Sequence, residues 1–483
     1  MVGITSYGGY IPWYRINRMT IYGAIGSWLN PASLLPGEKA VSNWDEDSVS
    51  MAVNAAIDCL TDVEREKVDG LFFATTTSPF MERQAASIIA TALDLGAEIR
   101  TADIGGSISG AASAVLTAAD SIKAGSAKSI LVCSGDCRIA KAGGPLEEQY
   151  GDGAAALLMG DEGVIASLDG SYTLSYDILD HFRVTGDKFN RQWEDRWIRD
   201  EGYGKFIGEA LGGLMKKYGL SAKDFAKVCY PCLYPRAHGG IAKQLGFEAE
   251  QVQDNMFTSI GNTGAPYPLM VLIAALEDAK PGDKILVGSY GTGSSAMFFT
   301  VTEEIKKVQG KRRGIKQNLA FKKDIGQYER YITCNSVLTI DTAGRGEETS
   351  LTSASKLWRE RREILGLVGS KCKRCGTPQY PPQRVCANPA CGAIDEMEDY
   401  RFSDKTGHIF TYTGDLLAFS PNPPSFYGVV NFDGGGRYLL DFTDCEQDKL
   451  KVGLPVTLSF RRKYVDRVGV SGYFWKARPI TEE

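Results

Sequence analysis

At 483 residues the chain is longer than a single hydrophobic core supports, so two or three domains are expected. With 43% hydrophobic and 23% charged residues it has the composition of a globular protein, not of a disordered or fibrous chain. Fifty-four basic residues against 59 acidic ones leave a net charge of −5, which offers no footprint for nucleic acid or an anionic membrane surface.

The opening stretch MVGITSYGGYIPWYRINR has no basic leader followed by an apolar run, and no apolar run in the chain reaches bilayer length. A cytoplasmic protein without membrane attachment is therefore expected. Of the 11 cysteines, four cluster towards the C-terminus; Cys59, Cys133, Cys137, Cys229, Cys232, Cys334 and Cys445 are scattered, which suits a reducing compartment. The three histidines, His181, His238 and His408, are a tight constraint, because any imidazole base must be one of them.

Along the first 300 residues, helical and strand patterns alternate: DSVSMAVNAAIDCL helical, VDGLFFATTT strand, RQAASIIATAL helical, then SILVCSGD and GAAALLMG as strands. This alternation predicts an α/β fold around a largely buried sheet. GSISGAASAVLTAADSIKAGSAKSILVCSGD, from Gly106, is echoed by GNTGAPYPLMVLIAALEDAKPGDKILVGSYG, from Gly261. Each has a glycine corner, a small-residue helix, a glycine loop and an apolar strand. A duplicated half-domain is the economical reading, with the two corners facing each other across a pseudo-twofold axis.

Beyond about Thr302 the character changes. EEIKKVQGKRRGIKQ and DTAGRGEETSLTSAS are polar and flank a linker in which YERYITCNSVLTI still carries short elements. SKLWRERREILGLVGSKCKRCG reads as a helix leading into a metal knuckle, and GHIFTYTGDLLAF, FYGVVNF, RYLLDFT and PVTLSFRRKY as the short strands of a small barrel. The expected boundaries are 1–165 and 166–305 for the two halves, 306–355 for the linker, 356–395 for helix and metal ribbon, and 396–483 for the barrel.

Cys372, Cys375, Cys386 and Cys391 form two close pairs separated by a short loop, the spacing of a closed tetrahedral thiolate site; a structural zinc is expected there. In residues 101–115, TADIGGSISGAASAV, a strand turns through a glycine corner into a helix. Backbone N–H groups at such a start favour a nucleophile or an oxyanion. The corner offers Ser107 and Ser109 but no cysteine.

The stretches VGITSYGGYIPWYRI, GEKAV, DEDSVSMAVNAA, PLEEQYGDGAAALLMG, GNTG and ALEDAKPGDKILVGSYGTGSSA resemble, in order and spacing, the HMG-CoA synthase branch of the thiolase superfamily. The C-terminal 120 residues resemble the zinc-ribbon and OB-fold domain that accompanies thiolase-like acyl-CoA enzymes, usually as a separate chain. The resemblance implies a duplicated five-layered α/β/α/β/α fold followed by a zinc ribbon and an OB-type barrel. It also implies a homodimer, a coenzyme A thioester as substrate, and a place beside other thiolase-pathway enzymes.

The family's Glu–Cys–His set does not carry over. Its cysteine falls on Ser107, its glutamate approximately on Thr76, and its histidine on Pro231, next to Cys232 and Tyr230. Ser107 is either a nucleophile lacking a base or a hydrogen-bonding cap. Asn262 matches the family at the opposite corner and is expected to polarise a carbonyl. Tyr267 stands where the family has small residues, so its phenol is a candidate acid or base, or a packed aromatic. Cys232, Tyr234, Tyr230 and His238 are further candidates, whereas Tyr290 follows the family pattern and reads as structural.

Three functions compete. The first is a retro-aldol lyase of β-hydroxyacyl-CoA esters, which needs no acyl-enzyme. The second is an HMG-CoA synthase-like Claisen or aldol condensing acyltransferase, and the third a non-catalytic scaffold for a thiolase-type partner.

Overall fold

The computed structural model describes residues 1–29, 34–341 and 351–480. The chain divides into two units. One holds Met1–Asn43, Asp47–Ser87 and Ala97–Leu338; the other holds Trp44–Glu46, Ile88–Gly96 and Thr339–Glu483.

The first unit is built on a nine-stranded mixed sheet. In chain order its strands are β1 (Gly3–Tyr10), β2 (Gly70–Ala74), β3 (Arg100–Ile104), β4 (Ser129–Asp136), β5 (Gly153–Gly160), β6 (Ala166–Ser175), β7 (Lys227–Cys229), β8 (Lys284–Gly291) and β9 (Gly293–Val301). The spatial order is β7-β8-β9-β6-β1-β5-β4-β2-β3. Read outward from the centre, the order β1-β5-β4-β2 on one side is mirrored by β6-β9-β8-β7 on the other. The halves meet where β1 pairs with β6, at Gly3–Ser167 and Ile4–Ala166.

Five main helices complete this unit: α1 (Ser48–Cys59), α2 (Gly110–Lys123), α3 (Lys205–Tyr218), α4 (Pro235–Gln244) and α5 (Tyr267–Leu276). Helix α1 covers β1, β4 and β5, and α3 covers β6, β8 and β9, while α2 and α5 touch each other between the two half-sheets. Outer helix, half-sheet, paired helices, half-sheet and outer helix make the five layers of a thiolase-like fold. Every residue of α5 is buried, as a helix enclosed on all sides requires, and α2 buries the alanine face Ala111, Ala112, Ala114, Ala118 and Ala119. The two echoed corners share one backbone device: Gly106, after β3, and Gly261, after the short helix Phe257–Ile260, have positive φ of 85° and 81° ahead of α2 and α5.

The segment expected as a linker from 306 is instead part of the first unit as far as Leu338. Lys323–Asp324 pairs in parallel with Tyr14–Asn17, and helix Tyr328–Cys334 buries Tyr328, Tyr331 and Cys334 against Trp13, Tyr14, Ile16 and Val41. Widely spaced aromatics supply this burial and outweigh the polar composition. The later part of the expected linker, 342–350, lies outside the described residues.

In the second unit, short helices Ala354–Arg359 and Arg361–Ile364 precede a three-stranded antiparallel sheet. Its strands are β10 (Val368–Cys372), β11 (Pro378–Gln379) and β12 (Met397–Arg401). Five further strands follow: β13 (Gly407–Asp415), β14 (Ser425–Phe432), β15 (Arg437–Asp441), β16 (Pro455–Val465) and β17 (Ser471–Pro479), in the order β15-β14-β13-β16-β17. A bridge from Phe442 to Ala477 joins the ends of that order, closing a small barrel around Ile409, Val430, Leu440, Phe460 and Trp475. Within this unit the fully buried Arg461 is held by Asp45, Glu46 and Asp444 at 3.3, 2.8 and 2.5 Å, and Lys476 pairs with Asp45 at 2.8 Å. Buried charge is tolerated there because each cation has a carboxylate.

Candidate active site and metal centre

In an α/β sheet the strand ends and helix starts converge on one rim, and ligands bind there. In the first unit, Ser107 follows β3, Arg138 follows β4, and Gly291 closes β8. These residues line one cavity with Thr76, Asp180, His181, Arg183, Asn190 and Thr292.

Ser107 stands at the start of α2. Its Oγ lies 2.9 Å from Ser109 Oγ and accepts from Ser109 N–H at 3.3 Å, Thr292 N–H at 3.2 Å and Thr292 Oγ1 at 3.3 Å. The partners are hydroxyls and backbone N–H groups, and none is a base.

Asp136 is fully buried and accepts five hydrogen bonds, from Thr75 Oγ1, Thr76 N–H, Thr76 Oγ1, Thr77 Oγ1 and Ala265 N–H, at 2.7–3.0 Å. This carboxylate ties the loop after β2 to the loop before α5. Arg138 Nη2 donates to Asn262 O at 2.9 Å and to Asn262 Oδ1 at 2.8 Å, and its guanidinium lies 4.0 Å over the Tyr150 ring. Asn262 Oδ1 also accepts from Gly264 N–H at 3.1 Å. Gly264 has a φ of 79°, and a Cβ there would fall 2.5 Å from Asp136 Oδ2 and 2.9 Å from Arg138 Nε, so the close approach of these groups requires glycine.

His181 Nδ1 lies 3.7 Å from Asp180 Oδ2, too far for a hydrogen bond, and both side chains are nearly buried. Arg138 Nε, His181 Nδ1 and Asn190 Oδ1 are buried without a hydrogen-bond partner. Such groups are costly when nothing polar completes them, and all three belong to residues of the cavity lining.

Other sequence candidates are not brought to this cavity. Tyr267 is fully buried in the core between the half-sheets, with its hydroxyl donating to Asn255 O at 2.7 Å; burial raises its pKa. Cys232 lies in the same core, its thiol pushed up to about 12 by burial, so it is no ready thiolate. Tyr234 donates to Asp195 at 3.0 Å, and burial and that carboxylate raise its pKa. His238 stacks on Tyr230 with ring centroids 4.1 Å apart; burial lowers its pKa to about 4, so it is neutral at pH 7. Its place on α4 turns it towards that tyrosine, and the histidine at the cavity is His181. Arg138, Asp136 and His181 were not selected from sequence, although SGDCR at the end of an apolar strand was the available signal for the first two.

In the second unit, the Sγ atoms of Cys372, Cys375, Cys386 and Cys391 all lie within 4.8 Å of one another. Cys372–Cys391 is 3.9 Å and Cys375–Cys386 is 3.5 Å, close to the roughly 3.8 Å edge of a tetrahedron with Zn–S bonds of about 2.3 Å. Among the described residues no fifth metal ligand joins this group, so the set closes a structural zinc site.

Three family models match the chain. Residues 215–301 match the C-terminal part of 3-oxoacyl-[acyl-carrier-protein] synthase III, residues 359–395 the ChsH2 rubredoxin-like zinc ribbon domain, and residues 400–461 the ChsH2 C-terminal OB-fold domain. The hydroxymethylglutaryl-CoA synthase of Methanopyrus kandleri is 32% identical over 317 residues, which span 64% of this chain and 90% of that protein. The chain belongs to the hydroxymethylglutaryl-CoA synthase family.

Solved structures agree with this HMG-CoA synthase fold. An HMG-CoA synthase crystallised with CoA superposes with a TM-score of 0.62 at 21% identity, covering 73% of this chain and 92% of that one. PksG, an HMG-CoA synthase from Bacillus subtilis, gives 0.59 at 18% identity, covering 70% and 91%. The chain is thus an enzyme-family member of the thiolase superfamily carrying a zinc ribbon and an OB-fold. Among the described residues no helix is long and apolar enough to cross a membrane.

Proposed function

We propose that the protein carries out carbon–carbon bond chemistry of the HMG-CoA synthase class: the enolate of an acyl-CoA adds to the carbonyl of a second substrate, giving a β-hydroxyacyl-CoA. Kinship with the synthases supports this reading, as does a cavity lined by Ser107 and by Arg138, which Asn262 holds. The reaction needs a proton acceptor and donors aimed at developing negative oxygen. His181 beside Asp180 is the proton-transfer candidate, and the Arg138–Asn262 pair supplies donors.

The observation that carries the mechanism is the setting of Ser107 Oγ, bonded only to hydroxyls and N–H groups. Acylating a serine requires a base for its proton, so the acyl group stays on coenzyme A and the addition is of aldol type. A second reading, breaking the same bond, draws on the same observation, because retro-aldol cleavage also dispenses with an acyl-enzyme. A homodimer in the cytoplasm completes the proposal.

Incubation with radiolabelled acetyl-CoA, followed by digestion and mapping, tests it. Unlabelled protein together with exchange of the α-protons in D2O is the expected result. Release of an aldehyde or ketone from a β-hydroxyacyl-CoA selects the cleavage direction, and label on Ser107 overturns the non-covalent mechanism.

A further inference from the structure

Arg138 is 5% exposed, yet among the described residues no carboxylate pairs with it. A permanently charged guanidinium out of water is expensive unless an anion neutralises it, and elsewhere in this chain Arg461 has three carboxylates. The buried acids near Arg138 are held by other donors: Asp136 accepts five hydrogen bonds, and Asp152 accepts from Ser42 N–H at 2.7 Å. Tyr150 covers one face of the guanidinium at 4.0 Å, and Arg138 is one of the residues that line the cavity.

We propose that this cavity takes a substrate bearing a carboxylate at its reacting end, and that Arg138 is the residue that recognises it. The proposal rests on the acyl-CoA reading above. A guanidinium edge presents N–H donors in a planar fork that fits the two oxygens of a carboxylate. A thioester enolate offers one oxygen, which carries its charge only during turnover. Arg183 also lines the cavity and adds a second positive group.

The carboxylate comes from one of two sources: the far end of a short dicarboxylic acyl group on coenzyme A, or a free keto acid serving as second substrate. Calorimetric titration of the full chain separates them, with succinyl-CoA against butyryl-CoA for the first, and pyruvate against acetone in the presence of butyryl-CoA for the second. The expected result is a preference for the carboxylate ligand of about tenfold or more in one arm. Arg138→Gln weakens the carboxylate ligand more than its neutral counterpart and so erases that preference, and Arg138→Lys restores part of it. A wild-type protein that binds the thioesters and shows no preference in either arm overturns this inference alone, as does an Arg138→Gln protein that weakens every ligand alike. A wild-type protein that binds neither thioester overturns the acyl-CoA reading with it.

Discussion

Arg138 Nη2 donates to the backbone O and the side-chain Oδ1 of Asn262 at once, at 2.9 and 2.8 Å, so Asn262 fixes the guanidinium of a residue that lines the cavity. Replacing Asn262 by Asp keeps the shape but supplies a carboxylate that captures the guanidinium. We expect Asn262→Asp to fold with unchanged or higher thermal stability and to lose about 100-fold or more in kcat/KM, the scale of removing one oxyanion donor. Steady-state kinetics beside thermal melting check this.

Ser107 is expected to matter little as a reacting group. Ser107→Ala removes an acceptor for weak bonds of 3.2–3.3 Å and should leave kcat within about tenfold of the parent, with about 1 kcal/mol lost in stability. Loss of all turnover with an intact fold would restore Ser107 as a nucleophile.

The four-thiolate site holds the second unit together. Cys372→Ser, or prolonged treatment with a strong chelator, is expected to remove about one zinc per chain and to melt the ribbon, because such small sites draw much of their folding energy from the metal. Metal analysis by mass spectrometry beside circular dichroism reads both effects. Retained zinc with a melted ribbon would contradict the prediction.

His238 gives a pH signature unrelated to catalysis. Burial lowers its pKa to about 4 from the ordinary 6.5, so the unfolded chain binds the proton more readily than the folded one. Its contribution is fully present above pH 6.5 and is lost as the pH falls towards 4, amounting to on the order of 3 kcal/mol. His238→Phe should flatten the stability profile over that window in denaturant titrations, and an unaltered profile would contradict the burial assignment.

The architecture was legible because it rests on patterns that repeat. The corners at Gly106 and Gly261 became mirrored helix starts, and the CKRCG and CANPAC spacing became a tetrahedron of sulfurs. The cavity was only half legible. Ser107 could be found by position in a motif, whereas Asn262 lies behind the lining as the partner of Arg138, and Arg138 becomes a cavity residue only when β4 is laid beside β2 and β5. His181 stands in an irregular stretch where no periodicity gives a side chain a direction. Tyr267 and His238 show the converse: a helical position suggests a face, and only packing decides whether that face meets a cavity or a core. The aromatics of helix Tyr328–Cys334 misled in the same way, since burial of a few large rings outweighs a polar run.

The five-donor cradle around Asp136 constrains redesign of this loop. Thr76, at the approximate place of the family's glutamate, now spends its N–H and hydroxyl on Asp136 at 2.7 and 2.9 Å. Restoring a glutamate at that position would set a second carboxylate against the first and strip one donor away, so repulsion penalises the reversal. Returning cysteine to position 107 as well would not relieve it. Engineering that aims at an acyl-enzyme in this cavity must therefore begin by replacing Asp136.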